Sequence, residues 1–194
     1  MGAIVKKTVR RLMTVGAALA LGVTGLGTAQ ASAATTAPET LSFPGTMTPQ
    51  EVNRAMDTLA VKSICYKVHV QDYGTLDWVC GGNTAGSVGH NKAIEKVWIT
   101  MRDNGEFCAQ AHIRNVGWQN QDCESAGGYV EVGTVGAALP MEALSVWTRN
   151  GGGMLSGQAH VQDHGWLPRT AWGYGSQFGT TGQGKNLEAI RLWV

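Results

Sequence analysis

The sequence predicts an all-β domain of three tandem repeats closing into a pseudo-threefold ring, entered through one short helix. Three observations predict it. One motif string recurs three times in register. The chain is rich in glycine and tryptophan and poor in charge, the composition of short strands joined by tight turns. Apolar and polar residues alternate in short runs bounded by turn residues.

The chain opens on a segment with the order of a signal peptide. Lys6, Lys7, Arg10 and Arg11 form a basic start, and residues 12–27 carry no charge. Ala29-Gln30-Ala31 and Ala31-Ser32-Ala33 then offer small-residue cleavage sites. Arg10-Arg11 raises the twin-arginine route, but Leu12-Met13-Thr14 is a poor continuation, and ordinary secretion is preferred. The apolar run is too short and glycine-rich for a comfortable span of about 20 residues. No second apolar run follows, so membrane insertion is not expected. Residues 1–33 are read as a signal peptide, and the remainder as a secreted or cell-surface chain.

Loss of that segment removes four of the 15 basic residues, leaving 11 against 14 acidic ones, a net charge of −3. No basic cluster survives to hold a phosphate backbone, which excludes nucleic acid as an expected partner. All seven tryptophans and 22 of the 27 glycines stay in the mature part, which is long enough for a single domain.

Residues 34–62 read as a linker and a short helix. Thr48-Pro49-Gln50-Glu51 combines a capping box with proline at the first helical position. Val52, Ala55, Met56, Leu59 and Ala60 then recur on one face. The expected role is a structural cap on the domain.

The repeats occupy 63–194, at about 63–101, 106–148 and 154–194. Their opening strings hold His69, His112 and His160, and their later strings read Gly86-Ser87-Val88-Gly89, Gly133-Thr134-Val135-Gly136 and Gly179-Thr180-Thr181-Gly182. Six residues past the last of those glycines stand Glu95, Glu142 and Glu188. Aliphatic residues follow at Val97 and Ile99, Leu144 and Val146, Ile190 and Leu192. Cysteines share the register: Cys65 and Cys108 sit four residues before the histidine, Cys80 and Cys123 eleven after it. The third repeat has Ser156 and Ala171 there, and the loss of both members together is what a pair predicts. Zinc is the competing use, but no C-x-x-C spacing exists and the chain is read as exported. Disulfides Cys65–Cys80 and Cys108–Cys123 are expected, each stabilising by about 3 kcal/mol on the loop-entropy account, and no metal or other cofactor is expected.

Turn residues join the repeats at Arg102-Asp103-Asn104-Gly105 and Arg149-Asn150-Gly151-Gly152-Gly153. The closing strand of one repeat is therefore expected to pair with the opening strand of the next, and residues 187–194 with 64–71. A β-prism-like arrangement is preferred to a β-trefoil.

The strings His160-Val161-Gln162-Asp163-His164-Gly165-Trp166 and Gly179-Thr180-Thr181-Gly182-Gln183-Gly184-Lys185-Asn186-Leu187-Glu188-Ala189-Ile190 resemble the clostridial hydrophobic repeat with its Gly-Trp signature, the ChW repeat of bacterial surface and secreted proteins. The second copy is similar despite an insertion at 127–130, and the first departs in having Thr75 where Trp118 and Trp166 stand. The resemblance implies secretion and a role in adhesion or ligand recognition. It brings no catalytic residues.

The recurring histidines and glutamates suggest acid–base chemistry at first sight. Each Glu, however, shares a strand face with core aliphatics and is expected to accept hydrogen bonds from the Gly-Thr-x-Gly turn. His69, His112 and His160 are likewise expected to be structural. Gly179 to Asn186 nearly spells a phosphate-binding loop, but it ends in Asn, precedes a strand, and its sister strings lack the lysine. The ligand candidates are the tryptophans with their short polar neighbours: Trp118 with Asn115, Trp166 with Asp163, and Trp78 and Trp172 in the variable loops. The first repeat keeps Asp72. An indole face beside an amide or carboxylate suits a pyranose ring, whereas Trp147 and Trp193 are expected to fill the core. The function expected is a non-enzymatic module with more than one glycan site. A protein-binding adhesion module is the alternative, and a glycosidase with paired carboxylates a remote one.

Overall fold

Thr48 caps a helix because its hydroxyl accepts from Glu51 N while the Glu51 carboxylate reaches back to Thr48 N, 2.9 Å away. The computed structural model that shows this describes residues 41–59, 63–102, 105–150 and 152–194. Residues 1–40, with the expected signal peptide and most of the linker, and residues 60–62, 103–104 and 151 lie outside the described residues.

The domain starts with β1 (Ser42–Phe43) and α1 (Pro49–Thr58). The first repeat supplies β2 (Ile64–Val70), β3 (Gly74–Thr75), β4 (Trp78–Cys80), β5 (Ala85–Gly86) and β6 (Ile94–Met101). The second supplies β7 (Glu106–Ile113), β8 (Gly117–Trp118), β9 (Asp122–Ser125), β10 (Tyr129–Gly133) and β11 (Met141–Arg149). The third supplies β12 (Ser156–Val161), β13 (Gly165–Trp166), β14 (Gly175–Gly179) and β15 (Leu187–Trp193), with a lone Leu155–Gly173 bridge in place of a strand like β4 or β9.

Three separate sheets result, one centred on each repeat, and their inner faces share one core. Val68, Val97, Ile99, Ala111, Leu144, Val146, Ala159, Ile190 and Leu192 all belong to it and are buried. Three sheets around a common interior form the prism-like arrangement. Among the described residues no helix is long and apolar enough to cross a membrane.

Strand pairing differs from the expectation. Each opening strand pairs antiparallel with the closing strand of its own repeat: β2 with β6, β7 with β11 and β12 with β15. Residues 187–194 therefore do not pair with 64–71. The ring is closed by the short strands instead. β10 adds to β6, β14 adds to β11, and β5 adds to β15, so each repeat completes the sheet of its predecessor and the first completes the third. The physical reason is burial. A long hairpin within one repeat presents a single continuous apolar face, whereas the inter-repeat turns carry the chain from one sheet to another. Tyr66 reinforces the closure, its hydroxyl accepting from Leu192 N at 2.9 Å and donating to Asn83 O.

Both expected disulfides are present, Cys65–Cys80 and Cys108–Cys123, each tying an opening strand to β4 or β9. They belong to an oxidising, extracellular-type environment. In the third repeat Ser156 is buried; its hydroxyl donates to Thr170 O at 2.7 Å and accepts from Arg169 Nε at 2.9 Å. Hydrogen bonds thus hold the position that cysteines hold in the sister repeats.

The helix covers the outer face of the first sheet. Val52 and Met56 pack on Trp78 and the Cys65–Cys80 bridge, but Leu59 is exposed, because the helix ends there as its C-cap. Trp78, weighed as a loop residue that touches ligand, lies in β4 with no exposed surface, its Nε1 donating to Met47 O at 3.0 Å. It is a core residue beneath the helix. Lys67 Nζ lies 4.8 Å from the Trp78 ring and donates to Gly45 O, and burial holds this ammonium below its usual pKa. Trp147 and Trp193 point outward and are only partly buried, because they alternate with the inward Val146, Thr148 and Leu192.

Candidate functional site

A break in strand alternation builds the site three times. Between β2 and β6 the pairing runs to His69↔Lys96 and then jumps to Val70↔Ile94, leaving Glu95 without a cross-strand partner. The same bulge leaves out Glu142 in β11 and Glu188 in β15. A bulge re-aims a side chain. Here it turns each carboxylate towards the histidine of its own repeat, and those of Glu142 and Glu188 also towards a turn of the next.

The carboxylates are nearly inaccessible, at 6%, 2% and 2% exposure for Glu95, Glu142 and Glu188. His160 Nδ1 stands 2.8 Å from Glu188 Oε2, His112 Nδ1 3.2 Å from Glu142 Oε2, and His69 Nε2 3.9 Å from Glu95 Oε2. The expected glycine-turn donors are found for two of the three, contributed by the neighbouring repeat: Gly182 N donates to Glu142 at 3.1 Å and Gly89 N to Glu188 at 3.3 Å, while at Glu95 the link is through the backbone, Thr134 N donating to Glu95 O at 2.8 Å. Buried carboxylates require such partners. Each His–Glu pair thereby marks a junction: repeat one with two, two with three, and three with one.

The Gly-Trp indoles stand at these junctions. Trp118 packs edge-on against His112 with ring centroids 5.2 Å apart, and Trp166 against His160 at 5.3 Å. In the first repeat Thr75 takes the indole's place and its hydroxyl pairs with His69 Nδ1 at 3.0 Å. The two indoles differ in access. The Arg191 guanidinium lies 4.2 Å over Trp166, whereas Trp118 is 39% exposed.

Asp72, Asn115 and Asp163 occupy equivalent turn positions, all left-handed, at φ 64°, 62° and 63°. Short Asn and Asp side chains tolerate that conformation best among non-glycine residues. Asp72 also pairs with Lys92 at 2.7 Å and Asp163 with Lys185 at 2.5 Å. The Asp72 hydrogen bond raises the pKa of Lys92. Repeat two has Asn115 and Leu139 instead, losing both charges together.

A cavity of about 400 Å3 opens at the junction of repeats two and three, lined by His112, Arg114, Asn115, Val116, Glu142 and the backbone of Gly182 and Gly184. Trp118 does not itself line the cavity, but it follows Gly117, which does, and packs edge-on against His112, which also does. Of the expected ligand residues Asn115 lines this cavity, Trp118 and Trp166 pack against the histidines of their own repeats, and Asp72 and Asp163 are held by Lys92 and Lys185. Trp172 lies apart, half exposed, in a cation–π contact with Arg169 5.0 Å away. Reading the residues had not singled out Arg114, whose Nη2 donates to Asn186 Oδ1 at 2.6 Å and whose Nε lies 3.8 Å from Glu142 Oε1. The signal was present in the repeat register: Arg114-Asn115 stands where the sisters have Gln71-Asp72 and Gln162-Asp163.

Fold and site together define a tandem-repeat β domain whose unit carries His, Gly and Glu at fixed spacing, with an indole in two copies of three. The family model described as clostridial hydrophobic W (ChW) matches three times, at residues 69–102, 112–150 and 160–194, and the chain belongs to the ChW family. No curated protein and no solved structure matches it.

Proposed function

We propose that this chain is an exported, non-catalytic binding module that holds glycans in the clefts between its repeats. The observation that carries the reading is Trp118, a 39% exposed indole packed against His112, which lines a cavity of about 400 Å3. Such a volume accepts a small ligand. An indole face stacks on the apolar face of a pyranose while the Asn115, Arg114 and backbone groups meet its hydroxyls. Stacking adds only on the order of 1 kcal/mol beyond burial. A single site is therefore weak, and the Trp166 junction supplies a second through effective concentration. Glu142 is the one carboxylate that lines the cavity, which supports the non-catalytic reading, since glycoside hydrolysis in its usual form needs two. The signal-peptide order of residues 1–33 and the two disulfides support export.

A second reading, attachment to surface protein, is favoured by the exposed Met154, Trp172 and Tyr174 of repeat three. The two separate in one experiment. Retention of the purified mature chain is measured on cell-wall preparations treated with periodate or with protease. Glycan binding predicts loss with periodate and survival of protease treatment, and the reverse result sinks it. Trp118→Ala and Trp166→Ala should each weaken retention more than their melting temperatures fall. Loss only in proportion to stability would make those indoles packing residues.

A further inference from the structure

The three junctions are equivalent in backbone but not in charge. Beside the buried carboxylates of repeats one and three stand Gln71-Asp72 and Gln162-Asp163. Both aspartates pair with their lysines, Lys92 and Lys185, and among the described residues the ion-pair partners of Glu95 and Glu188 are the histidines His69 and His160. In repeat two Asn115 and Leu139 replace the Asp–Lys pair without a net change, while Arg114 replaces glutamine and adds one positive charge. Arg114 Nε lies 3.8 Å from Glu142, so this junction alone sets a guanidinium beside its buried carboxylate.

Donors are also left over at this junction. Arg114 Nε is buried without a hydrogen-bond partner, and His112 Nδ1 lies near Glu142 but out of hydrogen-bond alignment; Thr180 Oγ1 is also unpartnered, as is its counterpart Thr134 Oγ1 at the junction of repeats one and two. Buried polar atoms of this kind ordinarily find partners. Arg114 and His112 line the cavity, and Thr180 belongs to the turn that supplies its Gly182 wall.

Resting on the glycan reading of the clefts, we infer that the junction of repeats two and three selects an acidic sugar, a pyranose bearing a carboxylate. The Arg114 guanidinium and the neighbouring donors receive the carboxylate, and Trp118 stacks on the ring. Guanidinium groups suit carboxylates because their N–H donors match the two oxygens. The other two junctions, which have glutamine in place of Arg114, lack the guanidinium and disfavour the same ligand.

The test uses matched pairs of short oligosaccharides in the gluco, galacto and manno configurations, each as the hexuronate and as the neutral sugar made by carboxyl reduction. Binding to the mature protein is followed by calorimetry at low and high salt. At least one configuration should bind about three- to tenfold tighter as the acid at low salt, with the ratio shrinking as salt screens it. Arg114→Gln writes the sister residue into repeat two and should abolish the preference, read as the ratio of acid to neutral binding on the same variant, so that any loss shared by both sugars cancels. Arg114→Lys should retain part of it. Gln162 shows that glutamine fits this position, its Oε1 accepting from Asn186 N at 3.3 Å. Equal binding of acid and neutral partner overturns the inference and leaves the glycan reading standing. Absence of binding by every sugar overturns both.

Discussion

The two glycines of each Gly-x-x-Gly string should respond very differently to alanine. Gly133 and Gly136 both hold positive φ, +95° and +75°. A methyl group on Gly136 meets nothing within 4 Å, whereas one on Gly133 would stand 2.9 Å from Lys96 Cα and closer still to the carbonyl oxygen of Glu95. That carbonyl accepts from Thr134 N at 2.8 Å, one of the bonds joining repeat two to repeat one. Gly136→Ala costs the left-handed penalty alone, about 1–2 kcal/mol. Gly133→Ala adds overpacking of about 1–3 kcal/mol and loss of a buried inter-repeat hydrogen bond, about 1–3 kcal/mol. The total of about 3–8 kcal/mol is a large share of a domain's usual 5–15 kcal/mol. Urea unfolding followed by tryptophan fluorescence measures both, and the melting temperature of Gly133→Ala should fall by about 10 °C or more. Gly86 and Gly179, whose added methyls would stand 2.6 Å from Ala189 Cα and 3.0 Å from Ala143 Cα, should behave like Gly133. Equal losses at Gly133 and Gly136 would refute the claim that the first glycine is required for the approach of one repeat to the next.

Deleting residues 187–194 removes β15, the partner of both β12 and β5, and should abolish cooperative melting; a transition near the parent temperature would refute the closed ring. Trp78→Ala empties a fully buried site under α1 and should cost about 3–5 kcal/mol in denaturant titration, while Trp118→Ala should cost far less. Burial lifts the phenol of Tyr66 above its ordinary pKa, so its contribution to stability is complete below pH about 10 and is lost as pH rises further. Stability should fall by about 1.4 kcal/mol per pH unit there, and this slope should flatten in Tyr66→Phe.

Much of this architecture was legible in the residues. The threefold register of His, Gly-x-x-Gly and Glu is local information, as are the alternation that turns Val97, Ile99, Leu144 and Ile190 inward and the Thr48–Glu51 capping box. The cysteine pairing was legible for the same reason, because two cysteines fifteen residues apart recur at identical places in two repeats and vanish together from the third.

Tertiary structure alone decided which strand meets which. Period-two alternation names the buried face but not the partner, and the closing strand of one repeat carries the same pattern whether it pairs within the repeat or beyond it. Burial of one continuous apolar face chose the pairing within the repeat, and the short strands, too brief to stand out in the sequence, closed the ring. The fold likewise decided the bulge that turns Glu142 out of register, the helix that buries Trp78 while Trp118 stays open, and the meeting of Arg114 with the Gly182 turn. Each of these joins residues tens of positions apart, where no local pattern records the contact.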